Sequence, residues 1–266
     1  MIDFTLATMT VLFVLALVGA ETLGRSIATR MPTEDGPGTL SHDRIGHILT
    51  SIFGLLALLV GFSFSIALDR YETRRSDVVA EANALGTAHY RASFLGETTS
   101  DLQRAIEDYT RHRTTYGSAI ESGRDALEAQ AQQLRQAIEA AGSRLQPVAN
   151  TPLGASTIAG VNAVLDLGVQ REANMRAKLP WTVFALLISL SLVGAGIMGL
   201  AYPGGQAWRR GSSLLLFTVL ALSINVIIDL DRPAGGGIAV DQTPMQELAR
   251  DFDAYRGAAA GTRGPS

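Results

Sequence analysis

The sequence predicts an all-α integral membrane protein with four transmembrane helices, and three observations support this class. Hydrophobic residues make up 47% of the 266 residues and charged residues only 18%, whereas soluble domains average roughly 25% charged residues. Of the 47 charged residues, 27 lie within residues 69–178. Four uncharged stretches flank this charged middle, at residues 4–20, 45–68, 179–208 and 211–228.

The uncharged stretches have the length of membrane-spanning helices. A bilayer core of about 30 Å takes roughly 20 apolar residues in a helix. A secretory signal peptide is the alternative for the first stretch. Signal peptides begin with positive charge and end in a small-residue cleavage site, whereas the only charged side chain before this stretch is Asp3, and Ala20-Glu21-Thr22 is a poor cleavage context, so we expect a retained membrane helix. The segments pair into two hairpins, residues 1–68 and 179–232. The predicted transmembrane helices are residues 4–24, 45–68, 181–202 and 211–230.

The charged middle, residues 69–178, has the apolar spacing of a helical bundle or stalk. From Asp69 onward, apolar residues recur every three or four positions, so the second membrane helix is predicted to continue into water. A turn is expected near residues 117–123, and a last helix over residues 156–178. A seam with the spacing of a coiled coil is formed by Leu102, Ile106, Tyr109, Arg113 and Tyr116.

Residues 233–266 are predicted to form a flexible tail with one short helix. Three glycines at residues 235–237 indicate a flexible joint. A helix over residues 244–253 places Met245, Leu248 and Phe252 on one side. We expect this amphipathic helix to dock on the central domain or on the membrane surface.

The positive charges near the helix ends predict the orientation in the membrane. An even number of spans places both termini on the same side as the central domain. That side has seven arginines and lysines close to helix ends, against five on the other side. Because positive charge favours the cytoplasmic side, we expect the termini and central domain in the cytoplasm and the helices in the inner membrane.

Polar residues at the helix ends are the candidate pore residues, since ionisable groups are costly within a membrane. The tripeptide Leu-Asp-Arg occurs at residues 68–70 and again at 230–232, at the same water interface. These charges either pair with each other as anchors or form an ion-attracting vestibule. Glu21 is interpreted as a headgroup anchor. The candidate pore and vestibule set is Gly61, Ser65, Asp69, Arg70, Asn225, Asp229, Asp231 and Arg232.

Asn225 lies deeper in its helix than the other candidates, and an interhelical hydrogen bond is the alternative role for it. Small residues form two stripes at helical spacing. Such stripes allow close helix packing, which serves contacts within the chain or between copies equally well. The stripe on the second helix is Gly54, Ala57, Gly61 and Ser65, and the stripe on the third is Ser191, Ala195 and Gly199.

Several function classes are excluded or not expected. The absence of cysteine excludes disulfides, thiolate metal sites and cysteine nucleophiles. The net charge of −3 argues against a nucleic-acid binder. No phosphate-binding loop, metalloprotease motif or nucleophile elbow is present. We therefore expect no enzyme activity, no cofactor and no bound metal.

A set of motifs gives the chain a family resemblance. Residues 61–65, 69–71 and 81–91, together with residues 229–233, resemble the corresponding segments of the bestrophin-like family, a group of bacterial four-helix membrane proteins. The motif residues that we expect to have structural roles are Glu81, Asn83, Gly86, Arg91, Asn174, Arg176, Pro180 and Pro233. We predict that Arg176 pairs with Glu81 or Asp77.

The resemblance implies kinship with bestrophins, which are pentameric anion channels with four membrane helices per subunit. The expected function is an oligomeric ion channel whose partners are the bilayer, ions and further copies of the chain. Carboxylates at the pore mouth would favour cations by charge. The alternative is a non-conducting membrane scaffold or sensor, whose helical domain recruits a cytosolic partner through residues 97–145.

Overall fold

The computed structural model describes residues 4–30, 42–118, 123–201, 207–233 and 237–261. These residues form eight α-helices and no β-strand, which confirms the predicted all-α class. The helices are α1 (Phe4–Ala28), α2 (His42–Ser93), α3 (Ser100–Thr114), α4 (Arg124–Ser143), α5 (Pro152–Arg176), α6 (Trp181–Ala201), α7 (Ala207–Asp231) and α8 (Thr243–Gly261).

The chain divides into two compact units. The membrane unit comprises Met1–Asp69 and Lys178–Asp231, and the helical unit comprises Arg70–Ala177 and Arg232–Ser266. Among the described residues, four segments are long and apolar enough to cross a membrane: Leu6–Ala28, Ile45–Ser93, Pro152–Ala201 and Gly211–Asp231. Helix α2 has 52 residues and contributes to both units, so the predicted continuation of the second membrane helix is confirmed.

Glycines bring α1 and α6 together in the membrane unit. A Cβ atom at Gly24 would lie 2.0 Å from the carbonyl oxygen of Gly196, and one at Gly199 would lie 2.0 Å from the carbonyl oxygen of Glu21. Only glycine fits where two helix backbones approach so closely. Helix α1 also packs against α7. The apolar side chains buried between these helices are Leu17, Ala195 and Phe217.

The helical unit has one apolar core. Helix α3 packs against α4 and α8. The face of α3 that the sequence predicted as a seam is buried, and its apolar residues belong to one cluster with residues of α2, α4 and α5. Members of this core include Leu85, Leu102, Ile106, Tyr109, Ile138, Leu145 and Val164.

The helix ends of the helical unit differ from the prediction at two places. Helix α5 begins at Pro152 rather than at residue 156, because the Oγ1 atom of Thr151 accepts a hydrogen bond from the N–H of Gly154 at 3.0 Å. Helix α8 extends to Gly261 rather than to residue 253, since its last turns are rich in alanine, a strong helix former. The tail is therefore more helical than predicted. Residues 235–236 of the predicted joint lie outside the described residues.

Candidate functional site

The candidate pore residues of α2 lie on an open face of the membrane unit. Gly61 and Ser65 are exposed. A Cβ atom added at Gly54 or Gly61 would meet no atom within 4 Å. Gly61 and Phe64 also border an apolar groove of about 720 Å³ between α2 and α7. Among the described residues, nothing covers this part of α2.

Asn225 of α7 lies against α1 instead. Its Nδ2 atom donates hydrogen bonds to the carbonyl oxygen of Leu6 at 2.9 Å and to Oγ1 of Thr10. Asn225 borders a second groove, of about 250 Å³, between α1 and α7. The structure therefore shows the interhelical hydrogen bond, and it does not bring Asn225 together with Gly61 and Ser65.

The carboxylate of Asp231 joins the end of α7 to the start of α6. Its two oxygens accept hydrogen bonds from the N–H of Leu179, at 2.9 and 3.1 Å. Leu179 precedes Pro180, after which α6 begins. Asp231 thus positions a helix entry. Of the other candidate residues, Asp229 is buried, Asp69 is exposed, and Arg70 and Arg232 are half-buried.

Glu21 is a buried carboxylate that residue spacing alone does not find. It is only 5% exposed, so its interpretation as a headgroup anchor was wrong. The Oγ atom of Ser213, which is 192 residues away in sequence, donates a hydrogen bond to Oε1 of Glu21 at 2.9 Å. Arg25 forms an ion pair with the same carboxylate from the next turn of α1. Glu21 therefore ties α1 to α7.

The helical unit contains a cluster of charged residues in its core. The carboxylate of Glu81 is fully buried. It accepts hydrogen bonds from Oη of Tyr109 at 2.6 Å, from Nε of Arg113 at 3.0 Å and from Nη1 of Arg171 at 2.5 Å. Arg171 also donates to Oε1 of Gln242 at 2.7 Å. One carboxylate of α2 therefore binds α3 and α5, and through Arg171 it reaches the segment before α8.

Burial and ion pairing have opposite effects on the pKa of Glu81. Burial by itself raises this pKa, but the charges of Arg113 and Arg171 and the hydrogen bonds from Tyr109 and Arg171 outweigh it, so the pKa lies below the ordinary value of 4.5. Burial raises the pKa of Tyr109, and the negative charge of Glu81 raises it further. At neutral pH, Glu81 is therefore ionised and the hydroxyl of Tyr109 remains a donor.

Gly168 of α5 provides the space that this cluster needs. A Cβ atom at this position would lie 2.7 Å from Oη of Tyr109 and 3.5 Å from Oε1 of Glu81. The carbonyl oxygen of Gly168 accepts a hydrogen bond from Nη2 of Arg113 at 3.2 Å. Arg135 of α4 adds a two-point ion pair with Glu172. The cluster is packed tightly, and its charged groups bind one another.

The motif residues Arg91 and Asn174 connect α2 and α5. Nη1 of Arg91 donates to the carbonyl oxygen of Ser156 at 2.9 Å. Nδ2 of Asn174 donates to Oδ2 of Asp77 at 2.7 Å. Together with Glu81, these residues fix the register of two antiparallel helices. Of the other motif residues, Gly86 contacts Leu248, Asn83 and Pro180 are exposed, and Pro233 is buried.

The predicted partner of Arg176 was wrong. Nε of Arg176 donates to Oε2 of Glu128 at 3.0 Å, and neither Glu81 nor Asp77 is its partner in the described contacts. Glu128 belongs to α4, whose position beside α5 does not follow from residue spacing. Within the part of the chain that the structure describes, no group of three or more histidine, aspartate or glutamate side chains forms a candidate metal site.

Comparison with known proteins agrees with this architecture. The chain is similar to a crystal structure of a membrane protein, with a TM-score of 0.68 and 11% identity over 94% of this chain and 98% of the other. It is also similar to a bacterial bestrophin homologue from Klebsiella pneumoniae, with a TM-score of 0.66 and 11% identity over 95% and 99% of the two chains. At this identity the likeness shows the fold alone.

Among curated proteins, none matches the chain. A family model described as a bestrophin-like domain matches residues 9–245, which is most of the chain and covers the larger part of both units. This match confirms the resemblance found in the motifs. The protein is an integral membrane protein that belongs to the bestrophin-like family.

Proposed function

We propose that several copies of the chain form an ion channel, with α2 of each copy lining the pore. The observation that carries the proposal is the open face of α2, where Gly61 and Ser65 are exposed. Four helices enclose too little space for a hydrated path, so conduction requires more than one copy. Membership of the bestrophin-like family and the similarity to a bacterial bestrophin homologue support this function.

Two residues of this face support a water-filled path. Ser65 offers a hydroxyl, and Gly61 leaves backbone polar groups close to the surface. Neither residue gains from contact with acyl chains, whereas polar side chains within a membrane usually face a cavity or a partner helix. The face of α6 with similar residues is buried against α1, which leaves α2 to contact other copies.

Mass measurement and single-channel recording test this proposal. Native mass spectrometry in lipid nanodiscs is expected to give a closed ring of identical chains. Currents in planar bilayers are expected to fall at least tenfold in Gly61→Trp and in Ser65→Trp. Val11→Trp is the matched control, because Val11 is 58% exposed on α1, and it should leave the currents unchanged. A monomer in lipid, or equal currents in all variants, would contradict the proposal.

Asp69 provides a test of ion selectivity. Its carboxylate is exposed near the end of the apolar part of α2, and a negative charge at a pore mouth favours cations. We expect Asp69→Lys to shift the reversal potential in a salt gradient toward anion permeation, whereas Asp69→Glu keeps the wild-type value. An unchanged potential in Asp69→Lys would show that this carboxylate does not face the ion path.

The scaffold function is the second candidate, and one observation favours it. Tyr90 near the end of α2 and Phe94 just after it are 65% and 59% exposed, and their rings meet edge to face at 4.8 Å. Such a pair fits a protein partner. Proteoliposomes without ion flux, together with a cytosolic partner that is lost in Tyr90→Ser/Phe94→Ser, would favour the scaffold over the channel.

The proposed location is the inner membrane of a bacterium, with both termini and the helical unit in the cytoplasm. The absence of cysteine makes single-cysteine labelling specific. In spheroplasts with intact membranes, a membrane-impermeant maleimide should fail to label Tyr90→Cys and should label it after permeabilisation. Labelling before permeabilisation would indicate the opposite orientation, with the helical unit outside the cytoplasm. No catalytic role is part of this proposal.

A further inference from the structure

Helix α8 covers one face of the helical unit. Met245 and Phe252 are buried, and a Cβ atom at Gly86 of α2 would lie 3.3 Å from Cδ1 of Leu248. Helix α8 also packs against α3. It is the last helix of the described chain, and side-chain contacts hold it on α2 and α3. It can therefore separate without breaking either of those helices.

A buried histidine lies beneath α8. His89 of α2 is 5% exposed. The ring of Phe252 stacks on its imidazole with centroids 4.2 Å apart, and the ring of Tyr255 meets it edge-on at 5.6 Å. Nε2 of His89 lies 3.1 Å from Oε1 of Glu107 on α3. The imidazole therefore contacts both helices that meet at this face.

Charged groups from both helices surround this imidazole. Glu107 and Arg111 approach from α3, and Asp253 and Arg256 from α8. Arg256 binds Oε2 of Glu107, Arg111 lies 3.7 Å from the same oxygen, and Arg111 also binds Asp253 at 2.9 Å. One carboxylate, Glu107, thus already serves two arginines. The positive charge of Arg256 opposes a further positive charge on His89.

We propose that α8 is a clamp released by acid: protonation of His89 detaches the helix from α2 and α3. Docked α8 buries a neutral imidazole, whereas released α8 leaves His89 in water, where it takes up a proton readily. The freed helix would expose Phe252 and Met245, which are buried in the docked state. This regulation does not depend on whether the protein conducts ions.

The pKa of His89 supports the direction of this switch. Burial, followed by the positive charge of Arg256, lowers the pKa from 6.5 to about 4. The docked state is therefore favoured fully above pH 6.5, and this contribution is lost as the pH falls toward the lower value. Release is expected within that interval, where an unperturbed histidine takes up its proton.

Distance measurements with spin labels test the clamp on the full chain. Because the chain has no cysteine, Ser100→Cys on α3 and Glu247→Cys on α8, both exposed, can be labelled as a pair. A single distance is expected at pH 7.5, with a longer population growing as the pH falls. Phe252→Ala should show the longer population already at pH 7.5, which identifies the released state.

Two variants of His89 and one control pair decide the outcome. His89→Phe keeps an aromatic ring under Phe252, and His89→Gln keeps a donor toward Glu107, but neither takes up a proton. We expect both to lower the released fraction at pH 4.5 at least tenfold relative to wild type. A second label pair, Ser100→Cys with Asn162→Cys on α5, should keep its distance and show that the bundle remains folded.

Three results would overturn the proposal. The first is a wild-type helix that stays docked down to pH 4. The second is release at the same pH in both His89 variants, which would assign the effect to Glu107 or Asp253. The third is a control pair that changes with the same pH dependence as the α8 pair, which would mean that acid unfolds the bundle.

Discussion

Glu21 of the membrane unit and Glu81 of the helical unit are both buried, and arginine and hydroxyl groups hold both. Their arginines come from different places. Glu21 pairs with Arg25 on its own helix, so this ion pair forms as soon as α1 does. Glu81 takes Arg113 from α3 and Arg171 from α5. Its network therefore exists only when three helices meet in the correct register.

The difference shows how a buried charge can specify a fold. A buried ion pair adds little net stability over apolar packing, but removal of one partner leaves an uncompensated charge. Loss of Glu81 leaves two buried arginines without their carboxylate, whereas loss of Glu21 leaves one arginine that is less deeply buried. The two sites should thus respond unequally to the same substitution.

The largest effect is expected from Glu81→Gln. This change should destabilise the helical unit by about 3–5 kcal/mol, because Arg113 and Arg171 remain buried and unbalanced. Denaturant unfolding of the full chain in detergent measures this loss of unfolding free energy. Hydrogen exchange of α3 and α5 then locates it.

The matched control for this change is Asp101→Asn. Asp101 pairs with Arg104 and Arg144 on the surface, where an ion pair contributes about 0–1 kcal/mol. Equal losses in the two variants would mean that Glu81 does not lock the bundle.

Acid should reduce the difference in the free energy of unfolding between wild type and Glu81→Gln. The pKa of Glu81 lies below 4.5 in the folded chain, so its stabilising contribution is fully present above that pH. This contribution is lost as the pH falls through the lower folded value. We expect a constant stability difference from pH 7 to about 5, with narrowing only at more acidic pH. A stability difference that decreases already near neutral pH would contradict the ionised state assigned to Glu81.

Gly168→Ala tests the packing of the same network without removing a charge. The added methyl would lie 2.7 Å from Oη of Tyr109, and overpacking of this kind costs about 1–3 kcal/mol. Gly257→Ala on α8 is the control, since nothing lies within 4 Å of its Cβ position. Thermal unfolding followed by circular dichroism should show a loss of stability for Gly168→Ala and no loss for Gly257→Ala.

Glu21→Gln should have the smallest effect of the series. The amide oxygen still accepts from Ser213, and only the charge opposite Arg25 is lost, so we expect a loss of about 1–2 kcal/mol in the membrane unit. Thermal unfolding in lipid nanodiscs measures this loss of stability, with Ser213→Ala as the comparison. A loss of stability as large as that of Glu81→Gln would contradict the expected difference between the two glutamates.

Much of the fold follows from the sequence, because helix length and apolar period are local properties. The four membrane helices and the extension of α2 into the helical unit follow from uncharged length and from the absence of breakers. The Thr151 cap and the alanine-rich end of α8 are also local, yet they lie outside the apolar pattern. The pattern therefore placed these two helix ends incorrectly.

Contacts between distant helices did not follow from the sequence. The stripes on α2 and α6 have the same spacing and the same kinds of residue, yet Gly199 meets a backbone of α1 and Gly61 meets nothing. Spacing describes one helix and carries no information about its partner. For the same reason Arg176 received the wrong acidic partner, and the convergence of Arg113 and Arg171 on Glu81 could not be predicted.

The backbone contact between α1 and α6 has a consequence for synthesis. Gly24 leaves the ribosome about 172 residues before Gly196, its contact on α6, which at roughly 5–20 residues per second amounts to about 9–35 seconds. During that time α1 has neither its glycine partner nor Ser213. During this interval α1 therefore lies in the bilayer with Glu21 paired only to Arg25. This local ion pair lowers the free-energy cost of placing the Glu21 carboxylate in lipid.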